Sequence, residues 1–165
     1  STNAASYGDL YQWGRRTDGH QCRNSATTTT LSAVDQPANG NFITIDGGIN
    51  DWRSPQNVNL WQGVNGVNNP CPSTYRLPTQ AELNSERFTW SSVNAAGAFA
   101  SPLKWTVAGN RNNSDGSLAN AGFTGRYWSS TFGGSGSLYL TINSANAQMS
   151  NSFRAGGFSV RCIKD

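Results

Sequence analysis

Charged side chains are scarce in this sequence of 165 residues. Asp, Glu, Lys and Arg together make up only 13% of it, about half of their usual share. The net charge is +3, and the arginines are scattered, with Arg15-Arg16 as the only adjacent pair. A nucleic-acid surface needs a dense stripe of cations, so we expect no nucleic-acid partner.

Long apolar runs are missing as well. No stretch approaches the roughly 20 apolar residues of a transmembrane helix, and no signal-peptide pattern is visible. We therefore expect no membrane span. Patterned sequence starts almost at Ser1, which fits a processed N-terminus and a trimmed fragment equally well.

Metal-ligating residues are few and widely spaced. The only histidine is His20, and the three cysteines, Cys22, Cys71 and Cys162, show no C-x-x-C spacing. A zinc site needs more ligands at closer spacing. We expect no metal, and the simplest interpretation of the cysteines is one disulfide plus one remaining thiol in an oxidising compartment.

Catalytic patterns are also absent from the sequence. There is no Gly-x-Ser-x-Gly elbow, and no cysteine nucleophile or acid pair accompanies His20, which we interpret as a structural or exposed residue. The nine acids are dispersed; Glu82 and Glu86 are four apart, but Glu82 already has a capping role, and no second carboxylate is predicted across a cleft. The chain is predicted not to be an enzyme.

Small polar residues and aromatic rings are abundant in the sequence. The sequence has 20 Ser, 19 Asn, 18 Gly and 14 Thr, with six Trp. The polar residues favour turns and β-structure over long helices. Spaced tryptophans without charge runs argue against disorder, so residues 1–165 are predicted to form one domain whose core depends on large rings.

Local patterns predict two short helices and several strands. Thr79 and Glu82 have capping-box spacing, which begins a helix with Leu83 and Phe88 facing the core; a second helix is predicted near 93–99. Residues 46–76 are predicted to be a long loop held by buried Trp52, Leu60 and Trp61. Strands are predicted at 7–14, 42–45, 103–108, 126–131, 138–143, 147–151 and 158–163, with a hairpin loop at 133–136 and a turn at 155–157. The order is that of an α+β fold.

Several segments also carry a family pattern. They are Tyr11-Gln-Trp-Gly14 with Thr17-Asp-Gly-His20, Leu60-Trp-Gln-Gly63, Asn69-Pro-Cys-Pro-Ser73, Arg76-Leu-Pro-Thr79 with Ala81-Glu82, Asn94-Ala-Ala-Gly-Ala-Phe99, Tyr127-Trp-Ser-Ser130 and Gly157-Phe-Ser-Val-Arg-Cys162. In this order they resemble the Fibrobacter succinogenes major paralogous domain, a bacterial family related to the C-type-lectin and formylglycine-generating-enzyme folds.

The resemblance implies a C-type-lectin-like domain, with two short helices packed on a twisted antiparallel sheet and long ordered loops. It also implies that Cys71 pairs with Cys162, which would close a loop of about 90 residues and stabilise the fold by roughly 4–5 kcal/mol. Cys22 lies outside the family pattern; a buried free thiol and an intermolecular or rearranged bridge both remain open. The cysteines of formylglycine-generating enzymes are not matched, so their activity is not expected.

Calcium is a further possibility, because many C-type lectins hold sugar through it. The Gln-Pro-Asp and Glu-Pro-Asn tripeptides of those lectins are absent. Oxygen ligands are available from Asp46 with Asn50 and Asp51, and from Asn113 with Asp115; ordinary Asx-turns explain the same residues. We expect no cofactor, with calcium as the alternative.

The late strands and their connections are predicted to carry a binding face. Exposed aromatic and amide side chains suit sugars or protein partners. The candidate residues are Tyr139, Asn143, Asn146, Gln148, Asn151, Phe153 and Arg154. Half of them would face the core if the strands simply alternate. Glycosylation is a further candidate modification, at Asn112 of an Asn-x-Ser sequon and at Thr27, Thr28, Thr29 and Thr30.

Two functional hypotheses follow. The first is an extracellular or cell-surface structural subunit that assembles with copies of itself into a filament or surface layer. The family pattern fills the chain from about residue 7 to 164, so a lone binding module would lack its own delivery segment if the chain is complete. Low charge and exposed strand edges favour self-association. The second is an adhesive, lectin-like module that binds a surface glycan or protein.

Overall fold

The computed structural model describes residues 4–48 and 50–165. Its α-helices are α1, Gln80–Phe88, and α2, Ala95–Ala100, and a 3₁₀ helix spans Ala4–Ser6. The strands are β1 Tyr11–Gln12, β2 Thr27–Thr28, β3 Phe42–Ile43, β4 Tyr75–Arg76, β5 Asn110–Arg111, β6 Leu118–Ala119, β7 Gly125–Gly133, β8 Gly136–Ile142, β9 Ala147–Ser152, β10 Gly157–Phe158 and β11 Ile163–Lys164. The predicted α+β class is confirmed.

The sheet with the longest strands is antiparallel and contains β7, β8 and β9 in that order; a second sheet joins the short strands β1, β10, β5 and β6. The register of the three long strands places Trp128 opposite Tyr139, and Tyr139 opposite Ser150. The predicted hairpin loop joins β7 to β8 through Gly134, whose φ of 63° costs a glycine little. The long strands of the second half therefore lie where alternation and turn residues predicted them.

Both faces of this sheet are buried at its centre. Trp128 and Tyr139 belong to a cluster formed with the long loops, whereas Leu140 and Ile142 belong to a cluster formed with the helices. The sheet thus separates a layer of loops from a layer of helices. This explains why β8 is hydrophobic without a clean polar face.

Tryptophan rings organise the loop layer. Trp13, Trp52 and Trp61 are fully buried, and each indole N–H donates to a backbone carbonyl: Trp13 to Ser129, Trp52 to Trp13, and Trp61 to Asn68. A buried indole needs such a partner. The prediction that Trp52, Leu60 and Trp61 hold the long loop is confirmed, since Leu60 is 2% exposed.

Helix α1 begins with the predicted capping box, in which Thr79 and Glu82 bond reciprocally. Leu83 is buried as expected, but Phe88 is 62% exposed, so its predicted core position is wrong. Five residues advance an α-helix by about 140° beyond a full turn, which turns Phe88 away from the face of Leu83. Its ring instead lies 4.0 Å from the guanidinium of Arg87.

Three predicted strands differ from the structure in a common way. Residues 103–108 form no strand, because Lys104 has a φ of 52° and the N–H of Thr106 donates to the Tyr127 hydroxyl. The predicted strand at 158–163 is divided between β10 and β11. At 7–14 only Tyr11 and Gln12 are in a strand, paired with β10. In these segments, contacts with side chains and loops satisfy the backbone hydrogen bonds for which the sequence pattern predicted strand pairing.

The disulfide joins Cys71 to Cys162, as the resemblance implied. Its two cysteines lie just before β4 and just before β11, which pair with each other. Cys22 is a free, half-buried thiol. None of the helices in the described residues is long and apolar enough to cross a membrane.

Candidate functional site

Two residues of the predicted binding face are buried. Tyr139 is 8% exposed and packs edge-to-face against Trp128, with ring centroids 5.8 Å apart. Arg154 is 1% exposed and pairs with Asp51. Their prediction as surface ligand residues is corrected, because β8 is covered on both faces and Arg154 connects the sheet to the loop layer.

The other predicted residues do not converge on one site. Asn143 and Asn146 close the turn between β8 and β9, where the Asn143 Oδ1 accepts from two backbone N–H groups. Asn151 lies near the opposite end of β9 and donates to the carbonyl of Gly133 at 2.7 Å. Gln148 and Phe153 are exposed. These residues are therefore spread along one edge of the sheet.

A groove lies elsewhere, between the N-terminal segment, the chain after α2 and the segment before β11. Its volume is about 650 Å³, within the usual range of about 300–1,000 Å³ for small-molecule sites. We call it the Arg161 groove. The side chains that give it its chemistry are Tyr7, Asp9, Phe99, Lys104 and Arg161.

Arg161 is half-buried in this groove. Its guanidinium carbon lies 4.9 Å from the ring centroid of Trp105, a cation–π contact that fixes its orientation. Lys104 makes a second cation–π contact, with its Nζ 5.7 Å from the Phe99 ring centroid. The groove therefore carries two cations beside aromatic rings.

A smaller, apolar pocket of about 280 Å³ adjoins the groove and shares Leu103 and Arg161 with it. Leu83 and Trp105 line the pocket. The Glu86 Oε1 accepts from the indole N–H groups of Trp90 and Trp105 at 3.0 and 3.2 Å. This carboxylate is thereby used in positioning Trp105, which supports Arg161.

Sequence reasoning missed the Arg161 groove. Its residues come from four separate parts of the chain, 6–11, 99–106, Tyr127 and 159–161, and Lys104 does not stand in a charge cluster. Arg161 directly precedes a disulfide cysteine. An arginine between Val160 and Cys162 was the one available signal.

His20 is part of a buried polar network. Its Nδ1 lies 2.6 Å from the Asp18 Oδ1, and its Nε2 accepts from the N–H of Gln12 at 3.1 Å. Burial lowers the pKa of His20 to about 4, so the ring is neutral at pH 7. Asp18 also pairs with Arg15 at 2.8 Å. The network holds β1 to the following loop, and His20 has a structural role.

Two of the candidate calcium ligands have other partners. Asp51 pairs with Arg154, and the Asp115 Oδ1 accepts from the backbone and hydroxyl of Ser117. The latter is the Asx-turn alternative. Across residues 4–48 and 50–165, no group of three or more His, Cys, Asp or Glu side chains is placed to share an ion.

The candidate glycosylation residues differ in accessibility. Thr27, Thr29 and Thr30 are exposed, and the half-buried Thr28 accepts from the N–H of Thr30. The Asn112 Nδ2, where an N-glycan would attach, donates to the Ser117 hydroxyl at 2.9 Å. The threonine segment is thus more accessible for glycosylation than Asn112.

Comparison with protein-family models, with curated proteins and with solved structures finds no match to this chain.

Proposed function

We propose that this protein is a non-enzymatic structural subunit of an extracellular or cell-surface assembly, and that copies of it associate into a filament or layer. In this proposal the fold is C-type-lectin-like, as the resemblance to the Fibrobacter succinogenes major paralogous domain suggests. A disulfide and the lack of a membrane-spanning helix in the described residues are compatible with that location.

The outer edge of β9 carries the proposal. Within the described residues β9 pairs only with β8. Its sequence, from Ala147 to Ser152, contains no charged residue and no proline. Natural monomers usually protect such edges with lysine, proline or a covering segment, so an unprotected edge favours pairing with another chain.

The turn before β9 sets the direction of its peptide groups. The N–H of Asn143 donates to the carbonyl of Asn146. Because hydrogen-bonded pairs alternate in an antiparallel ladder, the peptide groups of Ala147, Met149 and Asn151 point away from β8. Arg87 donates to the carbonyl of Ala147 at 3.1 Å. The carbonyls of Met149 and Asn151 remain available to a partner strand.

Exposed apolar side chains add to the support. Phe123 is 78% exposed, Phe132 51% and Phe153 45%. Phe132 is paired with Ser137, which is paired with Ser152, so Phe132 and Phe153 lie at the same end of the sheet. Apolar surface at a strand edge stabilises association when a second chain covers it.

The experiment is a concentration series followed by light scattering and electron microscopy. Gln148→Lys places a charge on the edge and is expected to raise the concentration for assembly about tenfold or more. Asn59→Lys adds the same charge to an exposed turn and should assemble like the original chain. A protein that remains monomeric throughout contradicts the proposal, and equal assembly of both variants contradicts the role of β9.

A second candidate function, a lectin-like binding module, is favoured by one observation. The Arg161 groove combines two cations, one acid and aromatic rings in a volume suited to a small ligand. Saturable binding to a glycan or protein would support it, and a glycan array and protein capture without signal would contradict it.

A further inference from the structure

Arg161 has no hydrogen-bond acceptor among the described residues, although it is half-buried and stacked on Trp105. Arg111 provides a comparison, since its guanidinium lies 4.3 Å from the Phe42 ring centroid and also donates to Gly116, Cys22 and Ser25. Arg161 therefore presents an oriented guanidinium whose donors are available to a ligand.

A planar guanidinium of fixed orientation is the side chain best suited to a carboxylate, which it binds through two parallel hydrogen bonds. Lys104 lines the same groove and is exposed. Its Nζ is 3.4 Å from the carbonyl of Ala100, and two of its three donors remain for a ligand. The two cations line one groove and offer charged donors to an anion.

The groove also contains an acceptor and two rings. Asp9 is exposed and has no hydrogen bond to a described residue. Tyr7 and Phe99 supply aromatic surface. A ligand that fits all three features needs a carboxylate for the cations, hydroxyl donors for Asp9 and an apolar face for the rings.

We propose that the Arg161 groove binds an acidic sugar, with a uronic-acid carboxylate on Arg161 and Lys104 and ring hydroxyls donating to Asp9. A uronic acid carries a carboxylate, several hydroxyls and a C–H face on one ring. An acidic peptide supplies the carboxylate and N–H donors but no rigid C–H face for the rings, so the sugar is the better fit. This inference deepens the second candidate function and is independent of assembly through β9.

The test uses a galacturonic acid trimer as the probe and isothermal titration calorimetry on protein kept below its assembly concentration. Binding is expected to be saturable and to weaken as salt is added. The neutral galactose trimer should bind at least about tenfold more weakly, because it lacks the charge-assisted bonds. No binding of the acidic trimer overturns the proposal, whether or not the protein assembles.

Variants identify the subsite. Arg161→Gln and Lys104→Gln are each expected to weaken binding about tenfold or more. Arg16→Gln removes one positive charge from an exposed residue that lines neither the groove nor the adjoining pocket and should bind normally; an equal loss would assign the effect to net charge and overturn the site. A tri-aspartate peptide that binds as tightly as the sugar would overturn the choice of ligand. Thermal unfolding of each variant excludes a folding defect.

Discussion

Arg154 and Asp51 form an ion pair with 3.2 Å between the guanidinium Nη1 and the carboxylate Oδ2, and their side chains are only 1% and 3% exposed. Arg154 also donates to the Ser137 hydroxyl and the carbonyl of Gly136, and its guanidinium lies 4.9 Å from the ring centroid of Trp13. Burial raises the pKa of Asp51, and the charge of Arg154 opposes that rise. The pair connects the sheet to the loop layer.

Removing one charge of this pair is expected to destabilise the fold strongly. Asp51→Asn leaves the Arg154 guanidinium buried without its counter-charge, which costs about 3–5 kcal/mol in comparable pairs. Asp165→Asn makes the same chemical change at an exposed pair with Arg76 and should cost about 1 kcal/mol or less. Denaturant unfolding measures both, and similar losses would contradict the importance of the buried pair.

Stability should fall between pH 6.5 and pH 4 because of His20. Burial holds its folded-state pKa at about 4, below the ordinary value of 6.5, so in this range the unfolded chain binds a proton that the folded chain does not. His20 therefore makes stability rise with pH across this range, by a total of about 3 kcal/mol. The raised pKa of Asp51 acts in the opposite direction and reduces this rise, equally in the original chain and in a His20 variant.

The variant His20→Gln removes this titration and tests the assignment. Unfolding free energies measured from pH 7 to pH 4 should show a smaller slope for the variant than for the original chain. The pKa of Asp18 is lowered from its usual value, so its titration changes the stability only at lower pH. Identical slopes in the two proteins would exclude His20 as the group responsible.

Loss of the disulfide is expected to cost about 4–5 kcal/mol, because Cys71 and Cys162 are 91 residues apart and cross-linking them restricts the unfolded chain. The double variant Cys71→Ala with Cys162→Ala tests this by denaturant unfolding. Cys22→Ala, which removes a free thiol, is the control and should be close to neutral. A loss below about 1 kcal/mol for the double variant would contradict the prediction.

Gly97 is a position where a single methyl group should matter. A Cβ built there would lie 1.9 Å from the carbonyl oxygen of Ser92, so Gly97→Ala must move α2 away from the segment before it. Overpacking of this kind costs about 1–3 kcal/mol. Ala96→Ser, at the exposed neighbouring position, is the control, and thermal unfolding of the two variants provides the comparison.

Local signals explain which parts of the fold could be predicted. Thr79 with Glu82, and Gly133 to Gly136, encode a helix start and a hairpin over only four residues each, and both are present. Phe88 and residues 103–108 were predicted incorrectly, because their environment is decided by helix rotation and by side chains such as Tyr127. Tyr139 and Arg154 were wrongly predicted to lie on an exposed binding face, because layers on both sides cover the sheet.

The Arg161 groove could not be predicted for a different reason. Lys104 and Arg161 come together only in the folded chain, where the N–H of Trp105 donates to Ala98 of α2 and the Trp105 ring contacts Arg161. The disulfide was predicted through a resemblance rather than from spacing, since three cysteines alone allow three pairings.

All six tryptophans are at most 6% exposed, so their intrinsic fluorescence reports on the folding of both layers. Trp90 and Trp105 belong to the helical cluster, whereas Trp13, Trp52, Trp61 and Trp128 belong to the loop cluster. A folded chain should emit at short wavelength, and replacing the two helical indoles by phenylalanine would leave fluorescence that follows the loop layer alone. The two halves of the core can thus be observed melting together or one after the other.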